Sequence, residues 1–457
     1  MKIKKTYDRF EMSTIFSNIT AVVGGSVSTI RISGPQAVEC LKKLGFKGEI
    51  KHRKASFQKI LDPKNQEIID ESLVTFFKSP NSFTGEDVAE ISLHASVFIN
   101  KKIFEILSEI DGVRIAEAGE FSKRAFLNGK IDLVQAEAIP DLIASETEAQ
   151  HKQALRQLAG ELGKIYEDWR KRLIKLSAHL EAYIDFPDED LPQNIIDDIE
   201  LNVKNLSAEI QTHLNDQKIG QKIKEGLSLV IIGAPNAGKS SLINLLAKSE
   251  VAIVSEIAGT TRDIVETHLS IAGMPVKISD TAGLRTANDP IEKEGIKRAL
   301  QKAADADLKI FILDAVNPII RDEDRALIDN KTIVVLNKTD LINESDIDPK
   351  IMSEIINKNY VTISIISRTN IAKLIKKLEE KILETIPSVA SPVITQERYR
   401  IALKNSVENL NNFSLQKNVE LAAEDLRITA REIGKIIGKV DIENILDVIF
   451  SSFCIGK

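Results

Sequence analysis

The chain has 457 residues, 43% of them hydrophobic and 28% charged, with a net charge of −6; that length exceeds what one core usually supports, so two or three domains are expected. No apolar run reaches the roughly 18 residues of a membrane-spanning helix, and the start, MKIKKTYDRFEMS, has no hydrophobic segment after its lysines, which points to a cytoplasmic protein. The acidic balance argues against a general nucleic-acid coat while leaving room for one local basic patch.

Residues 1–120 mix short strands with helices. STIRISG (28–34) alternates at period two, PQAVECLKKLG (35–45) has helical spacing, and VAEISLHA (88–95) reads as another strand. A small α/β domain is expected there. Cys40 falls in that helix and Cys454 near the chain end, so no disulfide framework is implied. The six histidines (His52, His94, His151, His179, His213 and His268) lack metal-ligand spacing.

From 121 to 219 the texture is helical. Leu155, Leu158, Leu162, Ile165, Trp169, Leu173, Leu176, Leu180 and Tyr183 recur at steps of three and four, predicting one apolar stripe on a single long helix that ends near Pro187. Such a stripe is the core of a bundle, and Trp169 within it packs.

Between 220 and 385 the pattern becomes βαβ. LSLVIIG (227–233), MPVKISD (274–280), LKIFILD (308–314), TIVVLNK (332–338) and VTISII (361–366) are nearly continuous apolar runs. Strands buried on both faces read this way, as in a mostly parallel sheet flanked by helices. PSVASP (387–392) reads as a linker, and helical texture returns over 386–457. The expected architecture is multidomain α/β, with a P-loop domain (220–385) inserted into an all-α domain whose halves, 121–219 and 386–457, flank it.

The inserted domain carries the chemistry. GAPNAGKS (233–240) fits a phosphate loop between a strand and a helix, where glycines let backbone amides close on phosphates. Lys239 would reach the β and γ oxygens, and the Ser240 hydroxyl would bind Mg²⁺. DTAG (280–283) ends the next strand: Asp280 can hold the magnesium shell and the Gly283 amide can sense the γ-phosphate. GTTRD (259–263) offers Thr260 and Thr261, with Thr261 chosen as the second Mg²⁺ ligand. In NKTD (337–340), Asp340 can accept from guanine N1 and its exocyclic amine while Asn337 and the stem of Lys338 hold the ring. The wrong base would leave that acceptor unpaired, so the motif selects GTP. Ras-type enzymes place a water-orienting glutamine after DxxG, but that position here is Leu284. Spacing alone leaves Arg285, Arg262 and the run Glu292–Lys293–Glu294 open as substitutes.

These motifs, with IRISG (30–34), NSFTGEDV (81–88), GEFSKRAFLNGKIDLVQAEAI (119–139), IDFPDED (184–190), IAGTTRD (257–263) and IFSSFCIGK (449–457), closely resemble the TrmE family of tRNA modification GTPases, also called MnmE. The resemblance runs from residue 13 to the end. Residues 1–11 precede the family's usual start, which makes Met12 a candidate initiator. It implies an N-terminal α/β domain that dimerises and binds a one-carbon tetrahydrofolate, and a homodimer working with an FAD-containing partner of the MnmG (GidA) type. Together these would form a heterotetramer or larger complex that modifies C5 of the wobble uridine in certain tRNAs. It implies K⁺-dependent dimerisation of the GTPase domains, with K⁺ standing where other enzymes use an arginine finger.

By position, the resemblance places GTP contacts on Asn236, Ala237, Gly238, Lys239, Ser240 and Ser241, on Ser255, Glu256, Ile257, Ala258, Gly259, Thr260 and Thr261, on Asp280, Thr281, Ala282 and Gly283, and on Asn337, Lys338 and Asp340. K⁺ would be held by Asn236, Ser255, Ile257 and Thr260, and Mg²⁺ by Ser240 and Thr261. Glu292 aligns with the family's catalytic glutamate, which orients the attacking water through a bridging water; Lys239 joins it, and Cys454 is expected in the active centre for tRNA modification. The folate pocket would use Arg31, Glu90, Lys130 and Lys457. The chain departs from the family at VVGGSVS (22–28) and LHAS (93–96), where side chains replace glycines near that pocket. Two other readings share the G domain. A ribosome-assembly GTPase would lack the FCIGK tail and folate domain, and a paralogue could hydrolyse GTP without modifying tRNA.

Overall fold

The computed structural model describes residues 13–21, 24–185, 193–216, 218–249, 251–252, 267–280, 301, 303–320, 325–343, 349–355, 359–386, 392–416, 418–440, 443–454 and 456. They fall into two compact units: 1–140, 163–175 and 430–457 in one, 141–162 and 176–429 in the other. Among the described residues no helix is long and apolar enough to cross a membrane.

In the first unit six strands form one sheet: β1 (Thr14–Asn18), β2 (Val27–Ser33), β3 (Ala55–Leu61), β4 (Ile68–Phe77), β5 (Val88–His94) and β6 (Val113–Ile115). Their order is β3-β4-β5-β2-β1-β6, antiparallel throughout except for β1 with β6. Both strands read from the sequence lie within one residue of their expected limits. The helix of 35–45 is α1 (Ala37–Lys43). It packs with α2 (Val97–Ser108) over one sheet face, burying Phe16, Ile30, Ile32, Leu41, Ile91, Ile103 and Leu107. Cys40 lies in this core, where burial pushes its thiol up to about 12, so it is a packing residue. Helix α3 (Glu120–Leu127) follows, then α4 (Leu133–Ile143).

The long helix is a correction. The three-and-four spacing runs through position 160 without losing phase, yet the chain forms α5 (Glu148–Leu158) and α6 (Glu161–Asp185). Gly160 takes φ 79°, a left-handed turn that stops α5, and its N–H donates to the Gln157 carbonyl at 2.9 Å. Leu155 consequently leaves the stripe and is 42% exposed, while Gln153, Ala154 and Gln157 are buried. From Leu162 on the pattern holds through Trp169, Leu173, Leu176 and Leu180, with Tyr166 added.

The second unit contains α7 (Gln193–Leu214), α8 (Ile219–Glu225) and a six-stranded sheet. Its strands are β7 (Leu227–Gly233), β8 (Thr267–Ile271), β9 (Met274–Asp280), β10 (Leu308–Asp314), β11 (Thr332–Asn337) and β12 (Tyr360–Thr362). The order is β12-β11-β10-β7-β9-β8, parallel except for the β8–β9 hairpin at the edge, a strand the sequence reading missed. Successive residues of the central strands enter opposite cores: Leu229, Ile231, Ile310, Ile312, Ile333 and Val335 on one face, Val230, Ile232, Phe311, Leu313, Val334 and Leu336 on the other. That two-sided burial, worth about 1.5–3 kcal/mol per large side chain, is why these strands read as unbroken apolar runs. Helices α9 (Lys239–Ala247) and α11 (Ile371–Thr385) cover the first face, and α10 (Pro349–Ile355) contributes Ile355 to the second.

After the sheet comes α12 (Glu397–Asn412), then α13 (Val419–Ile437) and α14 (Glu443–Ser451). α12 lies against α7, and its buried Arg400 donates to the Leu214 carbonyl at 2.9 Å and to Asp216 Oδ1 at 2.7 Å. The chain that enters the sheet and the chain that leaves it are thus fastened to each other. In the first unit, Leu446 and Phe450 of α14, with Phe453 beyond it, join Leu133 and Ala136 in a separate apolar cluster.

Candidate active site

The loop 234–238 leaves β7, buried from Leu229 to Gly233, and opens α9. Gly238 has φ 108°, and a Cβ there would stand 2.4 Å from Asn337 Nδ2, so only glycine fits. Gly233, φ 153°, is similarly pressed against the Ile312 carbonyl. Asn236 takes φ 61°, a conformation asparagine tolerates better than most residues, and its side chain is exposed. Lys239 is buried, with Nζ donating to the carbonyls of Gly233 at 3.0 Å and Ala234 at 2.8 Å. Its ammonium therefore lies across the loop that would cradle phosphates. Ser240 and Ser241 are exposed on the first turn of α9, whose helix dipole favours an anion.

The base-reading loop is tied directly to the phosphate loop. Asn337 ends β11 and is 3% exposed; its Nδ2 donates to the Ala237 carbonyl at 2.9 Å, and its Oδ1 accepts from Ile365 N at 3.3 Å. Lys338, φ 67°, pairs with Asp314 at the end of β10 at 2.5 Å, which lays its stem along the site. Thr339 hydrogen-bonds the Ile363 carbonyl, and Asp340 is exposed. Ser364 Oγ accepts from Ser367 N at 3.1 Å and closes the turn that presents Ile365 N to Asn337. Asp314, Ser364 and Ile365 were the residues sequence reasoning missed, since none belongs to a contiguous motif. Asp280 is the last residue of β9, paired in register with Ile231 of the strand that leads into the phosphate loop. Ser255, Glu256, Ile257, Ala258, Gly259, Thr260, Thr261, Thr281, Ala282, Gly283 and Glu292 lie outside the described residues.

In the first unit Arg31 and Glu90 face each other across β2 and β5, with Arg31 Nε donating to Glu90 Oε1 at 2.9 Å. The guanidinium sits 5.0 Å from the Phe83 ring centre and 5.5 Å from that of Phe121. Lys130 donates to the Pro80 carbonyl at 2.9 Å, on the same 79–86 loop that carries Phe83. Cys454 is exposed, and its carbonyl accepts from Gly119 N at 3.4 Å, two residues before Phe121. Shared neighbours thus bring Arg31, Glu90 and Lys130, three of the four residues expected to bind folate, and the terminal cysteine to one region; Lys457 lies outside the described residues.

Beneath that region is a buried ionic network. Arg124, 2% exposed, donates to Glu86 at 3.0 Å and to Glu120 at 2.9 Å, and Arg114 holds Glu120 from the other side at 2.6 Å. Burial alone would push the Glu120 carboxyl up; the hydrogen bonds from Arg114 and the Glu117 amide, with the charge of Arg124, outweigh it and hold the group below the usual carboxylate value. Glu86 and Arg124 occur in strings the sequence analysis quoted without giving them a role.

Two family models match the chain: "GTP-binding protein TrmE N-terminus" over residues 14–130 and "MnmE helical domain" over residues 133–454. Curated relatives named tRNA modification GTPase MnmE are similar over 451 residues, 98% of this chain and 100% of theirs: 46% identical in Rickettsia akari, 47% in Rickettsia bellii and 47% in Rickettsia typhi. Among solved structures, Era of Aquifex aeolicus bound to GDP·AlF4⁻ is 26% identical, covering 40% of this chain and 66% of its own, at a TM-score of 0.27, too low to carry weight. On the two family models and the near-complete span of its relatives, the chain belongs to the MnmE (TrmE) family of tRNA modification GTPases.

Proposed function

We propose that this chain is a K⁺-dependent GTP hydrolase that acts with an FAD-containing partner of the MnmG type to add a carboxymethylaminomethyl or aminomethyl group to C5 of the wobble uridine in tRNA. Family membership makes it a GTP-hydrolysing enzyme of tRNA modification. The single observation that carries the nucleotide half of the reading is the Asn337–Ala237 hydrogen bond, which locks guanine selector and phosphate cradle into one rigid site.

The residues present suit Mg²⁺·GTP. Backbone amides and the α9 N-terminus would take the phosphates, Lys239 would exchange its loop carbonyls for phosphate oxygens, and Ser240 with Thr261 would hold Mg²⁺. A potassium ion held by Asn236, Ser255, Ile257 and Thr260 would supply positive charge beside the β–γ bridge. Asn236 already adopts the backbone that leaves its side chain open to solvent. Glu292 would orient the attacking water. The N-terminal domain (1–120) would dimerise and hold a one-carbon tetrahydrofolate through Arg31, Glu90, Lys130 and Lys457, with Cys454 near the transfer. The helical halves (121–219 and 386–457) would flank the inserted GTPase domain (220–385) in a cytoplasmic homodimer. Support for the folate side is the Arg31–Glu90 pair between two aromatic rings, a polar group framed by flat apolar faces.

The test is complementation of a strain deleted for its own enzyme of this family, with tRNA nucleosides measured by mass spectrometry. Return of the modified wobble uridine supports the reading. GTP hydrolysis without that nucleoside would leave the GTPase and reject the tRNA chemistry.

A further inference from the structure

The chain as a whole is acidic, yet residues 42–54 carry Lys42, Lys43, Lys47, Lys51, Arg53 and Lys54 against the single acid Glu49. All six cations are exposed. Lys42 pairs with Glu39 at 3.6 Å and Lys51 with Glu49 at 3.2 Å, both exposed and solvent-screened; for Lys43, Lys47, Arg53 and Lys54 no ion pair is present among the described residues. This segment is nonetheless pinned in place. His52 bridges to Phe76, with its Nδ1 accepting from Lys78 N at 3.0 Å, and Arg53 N donates to the Phe76 carbonyl at 2.8 Å. Arg53 is turned into the left-handed region, φ 56°. The cations are therefore presented from a fixed backbone and lose little loop entropy on binding.

Lys54 leads straight into β3, the edge strand of the sheet. Three residues on, about 10 Å along an extended strand, Phe57 is 63% exposed opposite Leu73, itself 51% exposed. An aromatic face standing free beside a cluster of exposed cations, four of them with no ion pair among the described residues, is the pattern of a single-stranded RNA platform, in which phosphates meet the cations and an unpaired base stacks on the ring. An acidic lipid surface would ask instead for an amphipathic helix with an apolar face, and the neighbour here is a strand.

We propose that the 42–54 segment together with Phe57 is the surface on which this protein docks its tRNA, the cations taking backbone phosphates and Phe57 stacking an unpaired base. The proposal rests on the reading that tRNA is the substrate. It fits the acidic chain, in which a local cluster of cations would attract RNA against an overall negative charge.

The experiment is a titration of the full-length chain with a fluorescent tRNA transcript across a series of KCl concentrations. A variant with Lys47→Gln, Lys51→Gln, Arg53→Asn and Lys54→Gln keeps the exposed positions polar and the left-handed turn tolerable, and an unchanged denaturant midpoint for the first unit, with unchanged basal GTP hydrolysis, reports an intact protein. Affinity is expected to fall by at least about tenfold, and the slope of log affinity against log salt by about 3, from roughly 0.7–0.9 per phosphate contact. Phe57→Ala is expected to cost about tenfold with the slope unchanged. The control, Lys373→Gln with Lys376→Gln on α11, is expected to bind as wild type. Wild-type affinity and slope in the four-site variant would overturn the surface while leaving the tRNA reading intact. Loss on the control alone, or binding to phosphatidylglycerol vesicles in place of the transcript, would overturn it too. A wild-type chain that binds no tRNA would sink the substrate reading first and this surface with it.

Discussion

The nucleotide loop and the ionic network of the N-terminal sheet are built by opposite means. The loop at 233–240 is made of backbone: its demands are two glycines in left-handed geometry, a strand end and a helix start, and its side chains are few. The network is made of side chains drawn from distant stretches, with Glu86, Arg114, Glu120 and Arg124 converging from a loop, a strand and a helix onto a charge that burial alone would not permit. Backbone sites announce themselves as short strings; side-chain sites do not. The two should also fail differently. One loses ligand and keeps its fold, the other loses its fold.

The largest effect is therefore expected in the network. Arg124→Ala strips Glu120 and Glu86 of their shared partner inside the protein and should destabilise the first unit by about 3–5 kcal/mol. Denaturant unfolding followed in that unit checks it, and a loss under 1 kcal/mol would show the network is solvated. In the loop, Gly238→Ala drives a methyl into Asn337 and should weaken GTP binding on the order of a hundredfold, since strain of this kind costs roughly 1–3 kcal/mol. The unfolding midpoint should barely move. A variant that binds GTP normally would mean the two loops are not locked together as drawn.

Glu292→Ala sharpens the contrast from the chemical side. Its GTP affinity should stay near that of wild type while single-turnover hydrolysis drops at least about tenfold, as for a group that acts in the transition state. A matching loss of affinity would make it a binding residue. The smallest expected effect is in pH. Glu120 is held below its ordinary 4.5, so its contribution to folding is complete above that value and is lost as pH falls through the lower, folded-state one. Stability measured between pH 6 and 3 should decline below about 4.5, and Glu120→Gln should flatten that decline.

How much was legible follows the same division. The strands of the second unit's sheet could be read because residues 229–232 and 310–313 are apolar on both faces, and the loops at their ends because phosphate and guanine recognition need fixed strings. The break at Gly160 could not, because the apolar spacing crosses it in phase and only the left-handed turn reveals it. The β8–β9 hairpin was half missed: THLSI is short and polar, and an edge strand buried on one face gives no continuous run. Arg31 and Glu90 were named by resemblance, but Phe83 and Phe121, which frame them, came from the fold. Asp314 was invisible for the same reason: what makes it matter is Lys338, one strand over and 24 residues away.

We propose that potassium assists GTP hydrolysis at the Asn236–Lys239 loop. It is tested most directly by the hydrolysis rate of the purified chain in KCl and in NaCl at equal ionic strength, with Asn236→Ala alongside. The account expects strong stimulation by KCl alone, lost in the Asn236 variant while GTP affinity is kept. Equal rates in the two salts would contradict it.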